Sequence, residues 1–117
     1  MPNHVLIVED EALVALDLTL ALRDLGCIVL GPAADSAQTL ALLRRQLPDA
    51  VLLDLGLQDG FALPLVEILA AASVPYVLTT GYACARLEHP ALRHAPHLDK
   101  PYGQEALRQA LLRILGR

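Results

Sequence analysis

The sequence predicts an α/β domain in which a parallel sheet is covered by helices on both faces. Short apolar runs of strand length recur five times along 117 residues, and helix-length segments separate them. Four of the runs also deliver a charged or hydroxyl residue at their carboxyl end, where a parallel sheet presents its binding crevice. Parallel neighbours need crossovers, which is what the alternation supplies.

His4-Val5-Leu6-Ile7-Val8 makes the first strand, stopped by the acidic triplet Glu9-Asp10-Glu11. A helix follows from Ala12 to about Leu25; Ala12, Leu13, Val14, Leu16, Leu18, Leu20, Leu22 and Leu25 cover more than half its circumference, mostly as core, and Gly26 supplies its stop. Cys27-Ile28-Val29-Leu30 is the second strand, closed by Gly31-Pro32. Asp35 with Gln38 three residues on has the form of a capping box, so a second helix runs from Ser36 to about Gln46. The third strand, Ala50 to Asp54, is apolar except for its last residue.

After the loop Gly56-Leu57-Gln58-Asp59-Gly60, residues Phe61 to Ala72 read as a third helix, starting near Ala62 or Leu63 because Pro64 is tolerated only in a first turn. Pro75 to Thr79 forms a fourth strand, leading into Thr80-Gly81-Tyr82. The segment Ala83 to Pro96, interrupted by Pro90 and Pro96, is expected to hold a short or irregular helix with mobility. His97-Leu98-Asp99 is a brief fifth strand before Lys100-Pro101, and Gln104 to Leu115 is the last helix. Right-handed crossovers then give a flavodoxin-like doubly wound (βα)5 domain of strand order 2-1-3-4-5.

The bulk numbers bound the function. A chain of 117 residues supports one domain and one core, here read as residues 1–117 with no output domain. No stretch reaches the roughly 18 apolar residues of a membrane span, and the start lacks the basic region of a signal peptide, which predicts a cytoplasmic protein. A net charge of −4 without a basic cluster argues against nucleic acid as a direct partner. Cys27 and Cys84 have no metal-ligand spacing. His89, His94 and His97 read as solvated loop residues, since Pro90 and Pro96 break any helical register. Leu107, Leu111 and Leu115 form a patch on the last helix that leaves two copies free to pair as a homodimer.

What stands out is the set of strand ends. Glu9 and Asp10 follow the first strand, Asp54 closes the third, Thr80 follows the fourth, and Lys100, the only lysine, follows the fifth. Carboxylates gathered in one crevice raise one another's pKa unless a cation joins them, and oxygen-only donors suit Mg²⁺ or Mn²⁺. Each feature alone has an ordinary reading: a solvated helix start for Glu9-Asp10, a turn for Asp54 or Thr80, a snorkelling Lys100. Their joint placement is what those readings explain poorly.

With these residues the chain resembles the receiver domains of two-component response regulators, over essentially its whole length. The resemblance implies that Asp54 accepts a phosphoryl group from a histidine of a sensor kinase or phosphotransfer protein. It implies Mg²⁺ held by Glu9 or Asp10, by Asp54 and by the Gly56 carbonyl; phosphoryl oxygens bound by the Thr80 hydroxyl, the Gly81 amide and Lys100; and a cis bond at Lys100-Pro101. Such domains are not substrate-turnover enzymes; they signal by contact with a downstream protein or drain phosphate from a kinase.

The Thr80-Gly81-Tyr82 sequence is most similar to the single-domain receivers of the FATGUY group. The usual aromatic three residues before the lysine is replaced by His97, so the readout is expected at Tyr82 and in an ordering of Ala83 to Pro96. Three other readings compete. A haloacid-dehalogenase-like phosphatase needs a second Asp where Gly56 stands, and an FMN-binding flavodoxin would find its phosphate repelled by Glu9-Asp10-Glu11. A pseudo-receiver would lack one of the residues that this chain retains.

Overall fold

In the computed structural model, which describes residues 3–57, 60, 62–80, 96–100 and 102–115, five parallel strands form one sheet of order 2-1-3-4-5. The strands are β1 (His4–Val8), β2 (Ile28–Ala33), β3 (Ala50–Asp54), β4 (Tyr76–Thr80) and β5 (His97–Asp99). The helices among the described residues are α1 (Ala12–Asp24), α2 (Ser36–Arg45), α3 (Ala62–Ala71) and α4 (Gln104–Leu115). The expected irregular helix within Ala83 to Pro96 lies, apart from Pro96, outside the described residues.

Strand residues alternate between two cores, as the pleat requires. Leu6, Val8, Val51, Leu53 and Leu78 pack with Leu65, Val66 and Leu69 of α3 and with Leu42 and Leu43 of α2. Val5, Ile7, Leu52 and Val77 pack on the other face with Leu18 and Leu22 of α1 and Leu107 and Leu111 of α4. The central strands β1 and β3 are apolar apart from His4 and Asp54 at their ends, because both of their faces are covered.

Local chemistry explains the helix ends. The α1 terminus closes with paired bonds from Gly26 N–H to the Arg23 carbonyl at 3.0 Å and from Cys27 N–H to the Leu22 carbonyl at 3.0 Å, with Gly26 at φ +85°. Asp35 caps α2 by accepting from Gln38 N–H at 2.9 Å, while Gln38 reaches back to Ala34 N–H at 2.8 Å, one residue before the cap.

Three expectations are corrected. Strand β2 does not stop at Gly31-Pro32 but runs on to Ala33, because an edge strand tolerates a proline that donates no ladder bond. Leu13, Leu16 and Leu20 of α1 are exposed at 80%, 53% and 51% rather than core, since Ala15, Leu18, Thr19 and Leu22 already fill the face against the sheet. The patch on α4 is not free for self-pairing, because Leu107 and Leu111 are buried beneath α1 and the sheet.

Candidate functional site

Strand register builds the site. Val8 is level with Leu53, Asp54 with Thr79, and Thr80 with Asp99. One step beyond β1, Glu9 therefore arrives level with Asp54, and Lys100, one step beyond β5, lies just past the level of Thr80. Backbone bonds carry the ladder past the strand ends: Glu9 N–H to the Ala33 carbonyl at 2.9 Å, Leu55 N–H to Thr79 at 2.9 Å and Lys100 N–H to Thr80 at 2.7 Å. Gly31 makes the first of these reachable. Its φ of +85° shifts the β1–β2 register between Leu6 and Val8, and a Cβ there would sit 2.8 Å from Ala33 N and 3.1 Å from the Ile7 carbonyl.

Asp54 and Glu9 are 5% and 2% exposed, far drier than ordinary carboxylates. The Lys100 ammonium lies 3.1 Å from Glu9 Oε1 and 3.5 Å from Asp54 Oδ1. Glu9 Oε2 accepts from Glu11 N–H at 3.1 Å, and Asp54 Oδ1 accepts from Gly56 N–H at 2.9 Å. Half-buried Asp10 completes the group, since Glu9, Asp10 and Asp54 each offer an oxygen within 4.8 Å of the others. A donor set of oxygens alone, with two of its carboxylates buried, fits a hard divalent cation such as Mg²⁺.

Electrostatics follow from that crowding. Burial, reinforced by Asp54, raises the Glu9 carboxyl above its ordinary value of 4.5 against the opposing pull of the Glu11 amide and Lys100. Burial alone would lower the Lys100 ammonium, but its bond to Glu9 and the charges of Asp54 and Glu9 outweigh this and hold it above 10.5. One lysine thus faces two carboxylates, which favours its charged form while leaving the pocket anionic.

The structure brings together Glu9, Asp10, Asp54 and Lys100, and sets buried Thr80 at the end of the neighbouring strand. The solvated reading of the acidic triplet therefore fails for Glu9. Gly56 sits in the turn after Asp54, with its amide on that carboxylate. His97 opens β5 level with Leu78, below the carboxylates. Gly81, Tyr82 and the Lys100-Pro101 bond lie outside the described residues.

Tyr102 escaped the sequence reading. Its ring packs with the α1/α4 core, and burial together with Glu9 and Asp54 pushes its hydroxyl up to about 12. With Val14, Leu18, Lys100 and Gln104 it lines a groove of about 420 Å³ between α1 and α4. An aromatic two residues after the lone lysine was the signal available.

Comparison with known proteins agrees with this geometry. A family model described as the response regulator receiver domain matches residues 5–112. The chain is 34% identical over 85 residues to the transcriptional regulatory protein PdtaR of Mycobacterium tuberculosis, covering 71% of this chain and 41% of that protein. It thus spans about two fifths of the length of that curated relative. Among solved structures, the PhyR receiver domain of Erythrobacter litoralis has a TM-score of 0.85 at 30% identity, covering 98% of this chain and 91% of the other. The receiver domain of sensor histidine kinase PA1611 from Pseudomonas aeruginosa PAO1, whose structure holds a magnesium ion in the active-site cleft, has a TM-score of 0.83 at 29% identity over 100% of both chains. By its family match, its strand order and its structural neighbours, the chain belongs to the response regulator receiver domains.

Proposed function

We propose that this chain is a working phosphoryl acceptor of a two-component phosphorelay, with Asp54 as the accepting group. The observation that carries the reading is the Lys100 ammonium set between buried Glu9 and Asp54, with Asp10 alongside and Thr80 on the next strand. A pseudo-receiver has no need of buried carboxylates that repel one another.

An Asp54 oxygen attacks the phosphorus of a phosphohistidine on a kinase or phosphotransfer protein. The new O–P bond replaces the P–N bond, and the imidazole leaves with its electron pair. Mg²⁺, when bound, lets two anions approach and offsets the charge that develops between them. Glu9 or Asp10, Asp54 and the Gly56 carbonyl would hold it. The Thr80 hydroxyl and Gly81 amide take phosphoryl oxygens, and Lys100 supplies a fixed positive charge. Chemistry of this kind modifies the protein itself and turns over no separate substrate.

The exposed row Leu13, Leu16 and Leu20 on α1, the helix that follows the acidic loop, gives the protein donor an apolar footing. In this reading the protein is cytoplasmic, and it signals by protein contact or by drawing phosphoryl groups from its kinase, read out through Tyr82 and the 83–96 segment. No helix among the described residues is long and apolar enough to cross a membrane.

The test is phosphorylation with acetyl phosphate and Mg²⁺. Hydroxylamine-labile phosphate is expected on the wild type and none on Asp54→Ala; labelling that survives the substitution sinks the proposal, and no labelling at all favours the pseudo-receiver. Leu16→Lys is expected to slow transfer from a protein donor about tenfold or more while leaving acetyl phosphate labelling unchanged.

A further inference from the structure

The phosphoryl chemistry makes no use of the groove between α1 and α4. Helix periodicity sets its walls: Val14, Leu18 and Ala21 recur at three- and four-residue spacing on α1, and Gln104 and Leu107 do so on α4. Leu18 and Leu107 are buried, whereas Val14, Ala21 and Tyr102 are half-buried and offer apolar surface to the opening. The volume of about 420 Å³ falls within the roughly 300–1,000 Å³ of small-molecule sites. An apolar lining of this kind favours an apolar body over water.

The charges around the groove select the sign of its ligand. Lys100, which shares the lining, spends its ammonium on Glu9 at 3.1 Å and Asp54 at 3.5 Å. Arg108, one turn past Gln104 on α4, is held by Glu105 at 2.7 Å and 3.1 Å. Asp17 lines the groove from α1, is exposed, and meets no cation among the described residues. An incoming charge therefore finds a carboxylate and an aromatic ring in one lining, and both attract an ammonium. An anion would meet Asp17, with Glu9 and Asp54 behind the lysine.

We propose that this groove binds a small organic ammonium, its aromatic or aliphatic body lodged between α1 and α4 and its charge at Asp17. Lys100 belongs to both the groove and the acidic pocket, so an occupant gives the chain a chemical input separate from its phosphoryl donor. The binding itself does not depend on phosphoryl acceptance by Asp54.

The test uses probes of one shape and different charge, phenethylamine, phenethyl alcohol and phenylacetate, titrated into wild-type protein with NMR of labelled Ala, Val and Leu methyl groups. The amine is expected to shift the methyls of Val14, Leu18, Ala21 and Leu107. It should bind about threefold to fivefold more tightly than the alcohol, in the range of an exposed ion pair, and the anion more weakly than either. Asp17→Asn, at an exposed position, should level the amine with the alcohol, and Ala21→Phe should fill the groove and abolish binding of both. No methyl shift at millimolar probe, shifts confined to other parts of the chain, an anion that binds as tightly as the amine, or a preference that survives Asp17→Asn would each overturn the proposal. So would groove methyl shifts that grow with protein concentration alone, which would assign the groove to a second copy. Loss of transfer from a protein donor in Ala21→Phe, with no probe binding by the wild type, would overturn it in favour of that donor. The wild-type comparison of the probes needs no variant, so it decides the matter even if Ala21→Phe folds poorly.

Discussion

The two ends of the sheet pair the same kinds of groups with opposite results. At the amino end, His4 N–H donates to Asp49 Oδ2 at 2.7 Å, Asp49 N–H returns a bond to the His4 carbonyl at 2.8 Å, and the side chains meet at 3.7 Å with Asp49 half exposed. Water screens that pair, and it does no more than pin β1 to the turn before β3. At the carboxyl end, Glu9, Asp54 and Lys100 come equally close, but both carboxylates are buried and outnumber the lysine. The difference teaches that pairing alone does not mark a site. Charges left crowded where water cannot relieve them do, because only a ligand can complete their neutralisation.

The sharpest way to break this contrast is to remove the cation common to the buried set. In EDTA, Lys100→Met is expected to cost roughly 3–5 kcal/mol by urea unfolding, because Glu9 is left as an uncompensated buried charge. The loss depends on pH in a defined direction. With its folded pKa above 10.5, Lys100 contributes its stability fully below pH 10.5 and loses it as pH rises through the folded value. The gap between wild type and variant should therefore close above pH 10.5, and a pH-independent gap would assign the loss to packing. Glu9 runs the other way, its raised pKa making the ionised form a cost that fades as pH falls toward 4.5.

A smaller effect of opposite sign is expected from Asp54→Asn. It removes one of two crowded carboxylates yet keeps an acceptor for Gly56 N–H, so it should stabilise the protein by about 1 kcal/mol in EDTA while abolishing phosphorylation. The smallest effect belongs to the exposed end. Asp49→Ala should cost less than about 1 kcal/mol and leave acetyl phosphate labelling intact. A large loss there would remove the distinction between the two ends.

Much of this was legible in the chain. Strand order and the convergence of Glu9, Asp10, Asp54 and Lys100 follow from alternation and handed crossovers, because a parallel sheet delivers every strand end to one edge. Less legible was which side of a helix faces inward. Helix α1 is apolar nearly all round, so its pattern assigns no unique buried face; Leu13, Leu16 and Leu20 went outward once smaller Ala15 and Thr19 sat against the sheet. Helix α4 has one apolar row, and reading it as surplus surface missed that Leu107 and Leu111 are the core contact. Within the site, the tie from Lys100 to Glu9 needed side-chain reach, which spacing along a sequence does not encode.

The glycine turn in β2 has a consequence for how the acidic loop opens. The Glu9 amide is held by the Ala33 carbonyl, which belongs to one of the two edge strands, and edge strands fray before central ones. The carboxylate that holds the lysine is thus fastened to an edge of the sheet and not to its central strands. Hydrogen exchange at the Glu9 amide should follow local opening of β2, well ahead of the amides of β3, so the loop can be loosened by events at a margin separated from Asp54 by the whole of β1.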